Sequence, residues 1–240
     1  MGLDQDPTRS AAAPDARTCL EWLERCELEY GAVDWIIGSD EAGYGTWAGD
    51  LVVAAVATRR SWSDAGVTDS KALSPAARRN IVRRYRNAAG MMRVVFRVPP
   101  QVIDEEGVFS VAIRLHNKVH EALAARLLAV DPDCSRLHIV DGLENARSQL
   151  DAGLVPLAKA DTFVPSVSLA SCFAKVVQCE LMNRAAKRYP GYGFEKHCGY
   201  GTPQHREALI RLGVTAIHRK SYRPIRDLLS TDGTPADCGG

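Results

Sequence analysis

Apolar positions recur along this chain with two periods, and the switches between them outline its elements. Short runs rich in Val, Ile and Leu near residues 33–39, 51–58, 93–98, 137–141 and 154–158 read as strands. Between them the spacing becomes helical. One helix starts with Ser74 as cap and Pro75 in its first turn, and Gly90 is read as its terminator. A long helix is expected from about Val108 to Val130 and another from about Ser166 to Tyr189. A third, Pro203 to Leu212, is capped by Thr202 and ended by Gly213. The first three strands, with one helix inserted, predict an antiparallel start, and the long helix crosses over to two more. The fold class is α/β: a mixed five-stranded sheet flanked by helices, with a small helical C-terminal part. Residues 1–16, rich in Ala, Asp, Pro and Ser, read as a disordered tail; about 17–30 read as a short helix. Residues 17–229 form the expected domain, and 230–240 a flexible tail. No internal repeat is apparent.

Composition narrows the class without naming a chemistry. At 240 residues, 46% hydrophobic and 25% charged, the chain has enough apolar material for one sizeable core. No stretch approaches the roughly 20 continuous apolar residues of a membrane span. The start of the chain lacks a basic-then-apolar signal pattern, so the protein is expected to stay in the compartment where it is made, with no membrane partner. Seven cysteines without a Cys-x-x-Cys pair, an odd number, fit a reducing cytoplasm. Cys172 and Cys179, seven apart on one helix, read as core residues. His116 and His120 have the i, i+4 spacing of a zinc pair but no evident third ligand, and read as an exposed helix edge.

The net charge of +1 does not announce a nucleic-acid partner, but its distribution does more. From Arg184 to Arg226 the basic residues are Arg184, Lys187, Arg188, Lys196, Arg206, Arg211, Arg219, Lys220, Arg223 and Arg226, against the acidic Glu195 and Glu207. Such a run can follow phosphates, and Tyr189, Tyr192, Phe194, Tyr200 and Tyr222 interleave it with possible stacking surfaces.

The sharpest local signal is Asp40-Glu41 at the end of the apolar run Trp35 to Ser39, followed by Gly43-Tyr44-Gly45. Successive strand side chains point to opposite faces, so the two carboxylates cannot chelate one ion symmetrically; one belongs at the centre of a site and the other at its flank. Leu137-His138-Ile139-Val140-Asp141-Gly142 repeats the pattern of apolar strand, carboxylate and glycine, and Leu154 to Asp161 repeats it more loosely. Carboxylates gathered at strand ends repel one another unless cations share them. Oxygen-only ligands suit Mg²⁺ or Mn²⁺ rather than Zn²⁺.

Taken in order, these motifs resemble the type 2 ribonucleases H, the ribonuclease HII family. Asp40-Glu41-Ala42-Gly43-Tyr44-Gly45, with Ala48-Gly49 and the apolar strand after it, looks like the family's opening. Asp69-Ser70-Lys71-Ala72-Leu73 is similar to its Asp-Ser-Lys-x-Leu element, and Val140-Asp141-Gly142 to its third acidic motif. Lys159-Ala160-Asp161 with Ser168 to Val176 resembles the fourth, and Tyr189 to Phe194 through His197 to Thr202 and His205 closes the match, which runs from about Trp35 to Pro224.

The resemblance implies a ribonuclease H-like fold and a metal-binding set of Asp40, Glu41, Asp141 and Asp161, with Asp40 as bridging ligand. It implies two-metal hydrolysis, with Mg²⁺ or Mn²⁺, of the RNA strand of RNA/DNA hybrids or at ribonucleotides embedded in duplex DNA, giving 3′-hydroxyl and 5′-phosphate ends. Gly43, Tyr44, Gly45, Ser70, Lys71 and Tyr200 would contact the substrate. The expected working form is a cytoplasmic monomer. The chain departs from the family at Tyr44, where the family's Gly-Arg-Gly loop carries arginine, and over Val176-Val177-Gln178-Cys179, where an Arg-Asp pair is usual. These changes leave the carboxylates untouched and bear on specificity; they also permit an alternative, a hybrid-binding protein of the same fold with weakened catalysis.

Overall fold

The computed structural model describes residues 32–62, 64, 67 and 73–231. The expected tail over 1–16, the helix over 17–30, and Ser70 and Lys71 lie outside the described residues, as does the chain beyond 231.

Among the described residues, five strands carry the fold: β1 (Trp35–Ala42), β2 (Leu51–Arg59), β3 (Met91–Val98), β4 (Arg136–Asp141) and β5 (Leu154–Leu157). They form one sheet in the order β3-β2-β1-β4-β5. β1 pairs with β4, and β4 with β5, in parallel. β1 and β2 are neighbours joined only by residues 43–50, too few for a parallel crossover, so they run antiparallel and the sheet is mixed. Pro156 lies on the edge strand β5, where a missing N–H costs no ladder bond to a further neighbour.

Local sequence explains most of the helices. In α1 (Pro75–Tyr85) the Ser74 hydroxyl accepts from the Ala77 N–H, and proline opens the first turn. This helix does not reach Gly90. It stops at Tyr85, whose hydroxyl donates to Asp64 and whose ring meets Trp62 edge-on at 5.3 Å; Gly90, at φ +73°, instead turns the chain into β3. A short helix α2 (Pro100–Glu106), which the apolar spacing did not suggest, precedes the long α3 (Val108–Leu128). Its signals are punctuation rather than periodicity: Pro100 at the start and Gly107, at φ +81°, bonding back to the Ile103 carbonyl. α4 (Pro165–Arg188) buries residues on all sides of its first half, as a helix enclosed by the fold must. The short α5 (Phe194–His197) leads to α6 (Pro203–Leu212), with Thr202 accepting from the His205 N–H and Gly213 closing it, and to α7 (Arg223–Thr231).

The chain divides into two compact units. Among the described residues, the first runs to Glu41 and adds Val53–Phe96 and Ile113–Ala174; the second holds Ala42–Val52, Arg97–Ala112 and the chain from Lys175. In the first, Ile36, Leu137, Ile139, Leu157, Val164 and Val167 pack into one core, each large side chain worth about 1.5–3 kcal/mol on burial. Gly38 lets α4 approach β1: a Cβ there would lie 2.5 Å from the Val167 nitrogen. In the second, Ala48, Met182, Tyr192, Phe194, Leu209 and Ile225 form a separate core. No helix among the described residues is long and apolar enough to cross a membrane.

Candidate active site

Strand register brings the first two carboxylates together. The β1–β4 ladder ends at Ser39↔Val140, so Asp40 and Asp141 are the next residues along two adjacent parallel strands. The third arrives by a return of the chain. After β5, Lys159 takes the left-handed conformation at φ 56°, and the 3₁₀ turn Ala160–Thr162 carries Asp161 back, its N–H donating to Asp141 Oδ1 at 3.2 Å. The Ser168 hydroxyl, in the first turns of α4, donates to the Asp161 carbonyl at 2.5 Å and fixes that turn.

Carboxylate oxygens of Asp40, Asp141 and Asp161 all lie within 4.8 Å of one another. Asp161 is wholly buried and Asp40 nearly so. Burial, then the negative charges of Asp141 and Glu41, push the Asp40 carboxyl well above the usual carboxylate range, while a hydrogen bond with Ser171 pulls the other way. A buried, all-oxygen, mutually repelling donor set fits a hard divalent cation and no thiophilic one.

Glu41 lies outside this trio, on the opposite face of β1. Its Oε2 is 3.1 Å from His116 Nε2. His116 Nδ1 is 2.8 Å from the Ser39 hydroxyl, which also lies 2.8 Å from His120 Nε2; His120 Nδ1 is in turn 3.1 Å from His138 Nδ1. His116 and His120 are therefore not an exposed helix edge: both are completely buried. The i, i+4 spacing was the available signal, and its partner was Ser39, two residues before Glu41 and so on the same strand face.

The second unit holds the Gly43-Tyr44-Gly45 loop. Gly43 sits at φ +90°, and a Cβ there would come within 2.7 Å of the Asp50 carbonyl, so glycine is required on two counts. The Tyr44 carbonyl accepts from Arg219 Nη1 at 2.8 Å and from the Tyr222 hydroxyl at 2.5 Å. Arg219 Nε and Nη2 also reach the Gly49 carbonyl, at 3.1 and 3.0 Å. Arg219 is fully buried, so it leaves the basic run read as phosphate-following; Tyr192 and Phe194, stacked in the core at 5.1 Å, leave the set of stacking surfaces. Tyr44 is half-buried and Gly45 exposed, while Tyr200 is 40% exposed with Lys175 Nζ 4.7 Å from its ring centroid.

The family model described as Ribonuclease HII matches residues 37–224. The chain belongs to the ribonuclease HII family. It is 38% identical to the ribonuclease HII of Halorhodospira halophila over 196 residues, covering 81% of this chain and 94% of that one. With the ribonuclease HII of Bacillus cytotoxicus it shares 37% over 203 residues, 84% of this chain and 73% of the relative. Among solved structures, the ribonuclease HII of Archaeoglobus fulgidus, determined in complex with PCNA, matches with a TM-score of 0.62 at 25% identity, covering 78% of this chain and 95% of that one. Membership in the ribonuclease HII family makes the protein an endoribonuclease of the ribonuclease H type.

Proposed function

We infer that the protein hydrolyses the RNA strand of RNA/DNA hybrids, or the bond on the 5′ side of a ribonucleotide embedded in duplex DNA, leaving 3′-hydroxyl and 5′-phosphate ends. Asp40, Glu41, Asp141 and Asp161 hold Mg²⁺ or Mn²⁺ for this reaction. One observation carries the reading: three aspartates from two strand ends and a 3₁₀ turn converge within 4.8 Å, an arrangement whose self-repulsion serves no purpose without a cation. A divalent cation bound there supplies Lewis-acid charge that lowers the pKa of water and stabilises the leaving oxygen.

The chain's own residues orient and recognise. The Asp161 N–H on Asp141 fixes two carboxylates relative to each other before any ligand arrives. Gly43, Tyr44, Gly45 and Tyr200 contact the substrate, together with Ser70 and Lys71. Open space around Gly45 and the exposed Tyr200 ring support this, since backbone groups of a glycine loop can meet the 2′-hydroxyl that separates RNA from DNA. The convergence of the aspartates favours a working nuclease over a hybrid-binding protein with weakened catalysis. The proposed setting is a reducing cytoplasm, which the unbridged, buried Cys134 and Cys172 support, and the proposed working form is a monomer.

The test is cleavage of a labelled hybrid and of a duplex with one ribonucleotide, each with Mg²⁺, Mn²⁺ or chelator, and mapping of the ends. Metal-dependent cleavage leaving 3′-hydroxyl ends is expected. Equal turnover in chelator, or binding without cleavage in either metal, would overturn the reading.

A further inference from the structure

Beside the aspartate cluster, and distinct from it, a continuous chain of hydrogen bonds runs Glu41, His116, Ser39, His120, His138. Each member is placed by the secondary structure. Ser39 and Glu41 are two apart on β1 and share one face, the face opposite Asp40. His116 and His120, one turn apart on α3, present neighbouring side chains to it. His138 pairs with Ile37 in the β1–β4 register and so lies on that same face.

The Ser39 hydroxyl has one proton and two imidazole neighbours, so it donates to one and accepts from the other. The chain therefore has only two possible senses. Facing an ionised Glu41, the Nε2 of His116 carries a proton and donates to the carboxylate, while its Nδ1 meets the Ser39 hydroxyl. Every ring nitrogen of His116 is thereby used, one to fix the ring and one to hold the carboxylate. Burial, reinforced by His138 and His116, holds His120 well below the usual histidine range, and burial holds His138 at about 4, so the far end of the chain stays uncharged at neutral pH.

Glu41 needs such a restraint. It is half-buried on the strand face turned away from Asp40, yet its charge is one of the causes that raise the Asp40 carboxyl. A mobile glutamate would spread that charge over several rotamers. We propose that His116, fixed by Ser39, is a positioning residue that holds the Glu41 carboxylate beside the aspartate cluster, and that the affinity of the cluster for a divalent cation depends on it. This rests on the metal-binding reading above. Partners that orient a ligating carboxylate are typically worth about 10–100-fold in metal affinity.

The experiment is direct Mn²⁺ binding to the full chain, by calorimetry and by the electron paramagnetic resonance of free Mn²⁺, alongside the Mn²⁺ concentration giving half-maximal cleavage. His116→Leu should weaken binding by about 10–100-fold and raise the metal requirement in step, with less change in KM for the duplex. His116→Gln, which keeps an N–H donor, should recover most of the loss. Ser39→Ala, a one-atom deletion that leaves the rings in place, should weaken binding several-fold and decides the matter if the leucine variant does not fold. Mn²⁺ affinity within twofold of wild type in Ser39→Ala and in any folded His116→Leu would overturn the positioning role. A wild-type protein that neither binds Mn²⁺ nor needs it would instead remove the metal reading itself.

Discussion

The backbone N–H of Asp161 donates to the side chain of Asp141 at 3.2 Å, so a residue delivered by a 3₁₀ turn is locked to one delivered by a strand end. Under the proposed metal reading this pair shares a cation, and removing either charge should act on metal binding first. Asp40→Asn and Asp141→Asn are each expected to lower the cleavage rate on the order of 10²-fold or more, since a Lewis-acid contribution is several kcal/mol and each 1.4 kcal/mol is about tenfold. Without metal, Asp40→Asn should melt at or above the wild-type temperature, because it removes a buried repelling charge. Added Mg²⁺ should then stabilise the wild type but not the variant. Turnover within a few-fold of wild type for both variants would sink the metal assignment.

Arg219 offers a second test, because its guanidinium serves the Gly43–Gly49 loop from inside the protein. Lysine keeps the charge but cannot reach the Tyr44 and Gly49 carbonyls together with the same fork. Arg219→Lys should therefore lower stability by about 1.5–3 kcal/mol, the scale of one charge-assisted hydrogen bond lost in the interior. Urea denaturation measures it. A midpoint unchanged within error would show that the buried guanidinium is not what holds this loop.

The parts of the fold legible in the sequence are those where a local rule and the tertiary structure agree. Ser74 and Thr202 cap their helices, Gly213 ends one, and the apolar runs become strands because each sits in a sheet that buries it. Asp40 and Asp141 were visible as candidates because both follow such a run. What stayed hidden depends on contacts between distant segments. No periodicity tells that Ser39 meets His116, 77 residues away, or that Arg219 turns inward to a carbonyl 175 residues back while its neighbour Lys220 stays exposed. Gly90 misled because a glycine marks a turn without saying which element it bounds: the helix ends at Tyr85, and Gly90, at φ +73°, turns the chain into β3.

The histidines of the second unit set a pH dependence. Thr215 N–H donates to His218 Nδ1, leaving Nε2–H to donate to His205 Nε2, while His205 Nδ1–H donates to the Tyr200 carbonyl. This pattern closes only with both rings neutral, and burial accordingly lowers each from 6.5 to about 4. A folded pKa below the unfolded one means that the unfolded chain binds the proton first. Stability is thus fully present above about pH 6.5 and is lost as pH falls from there toward 4, by about 1.4 kcal/mol per unit for each ring. Melting temperature should drop steadily from pH 6.5 to 4.5, with both imidazoles still neutral by NMR at pH 5.5. A flat melting temperature across that window, or either ring protonated at 5.5, would contradict the assignment.

Tyr44 carries the last prediction. The family's loop has arginine at this position, and tyrosine cannot make a charge-assisted fork to a phosphate. A continuous hybrid offers many 2′-hydroxyls along its length, whereas a single embedded ribonucleotide depends on the Gly43-Tyr44-Gly45 loop for its recognition. The wild-type protein is therefore expected to lose more on the single ribonucleotide than on the hybrid, and Tyr44→Arg should restore that substrate selectively. The change keeps Gly43 and the Tyr44 carbonyl bonded to Arg219 and Tyr222, which are backbone features of the loop. A hydrogen bond to a charged group is worth about 1.5–3 kcal/mol, so kcat/KM on the single-ribonucleotide duplex should rise about tenfold or more, with a smaller gain on the hybrid. Specificity constants of both proteins on both substrates decide it. Equal gains on the two, or none, would mean that the charge at position 44 does not limit recognition and that the tyrosine serves packing instead.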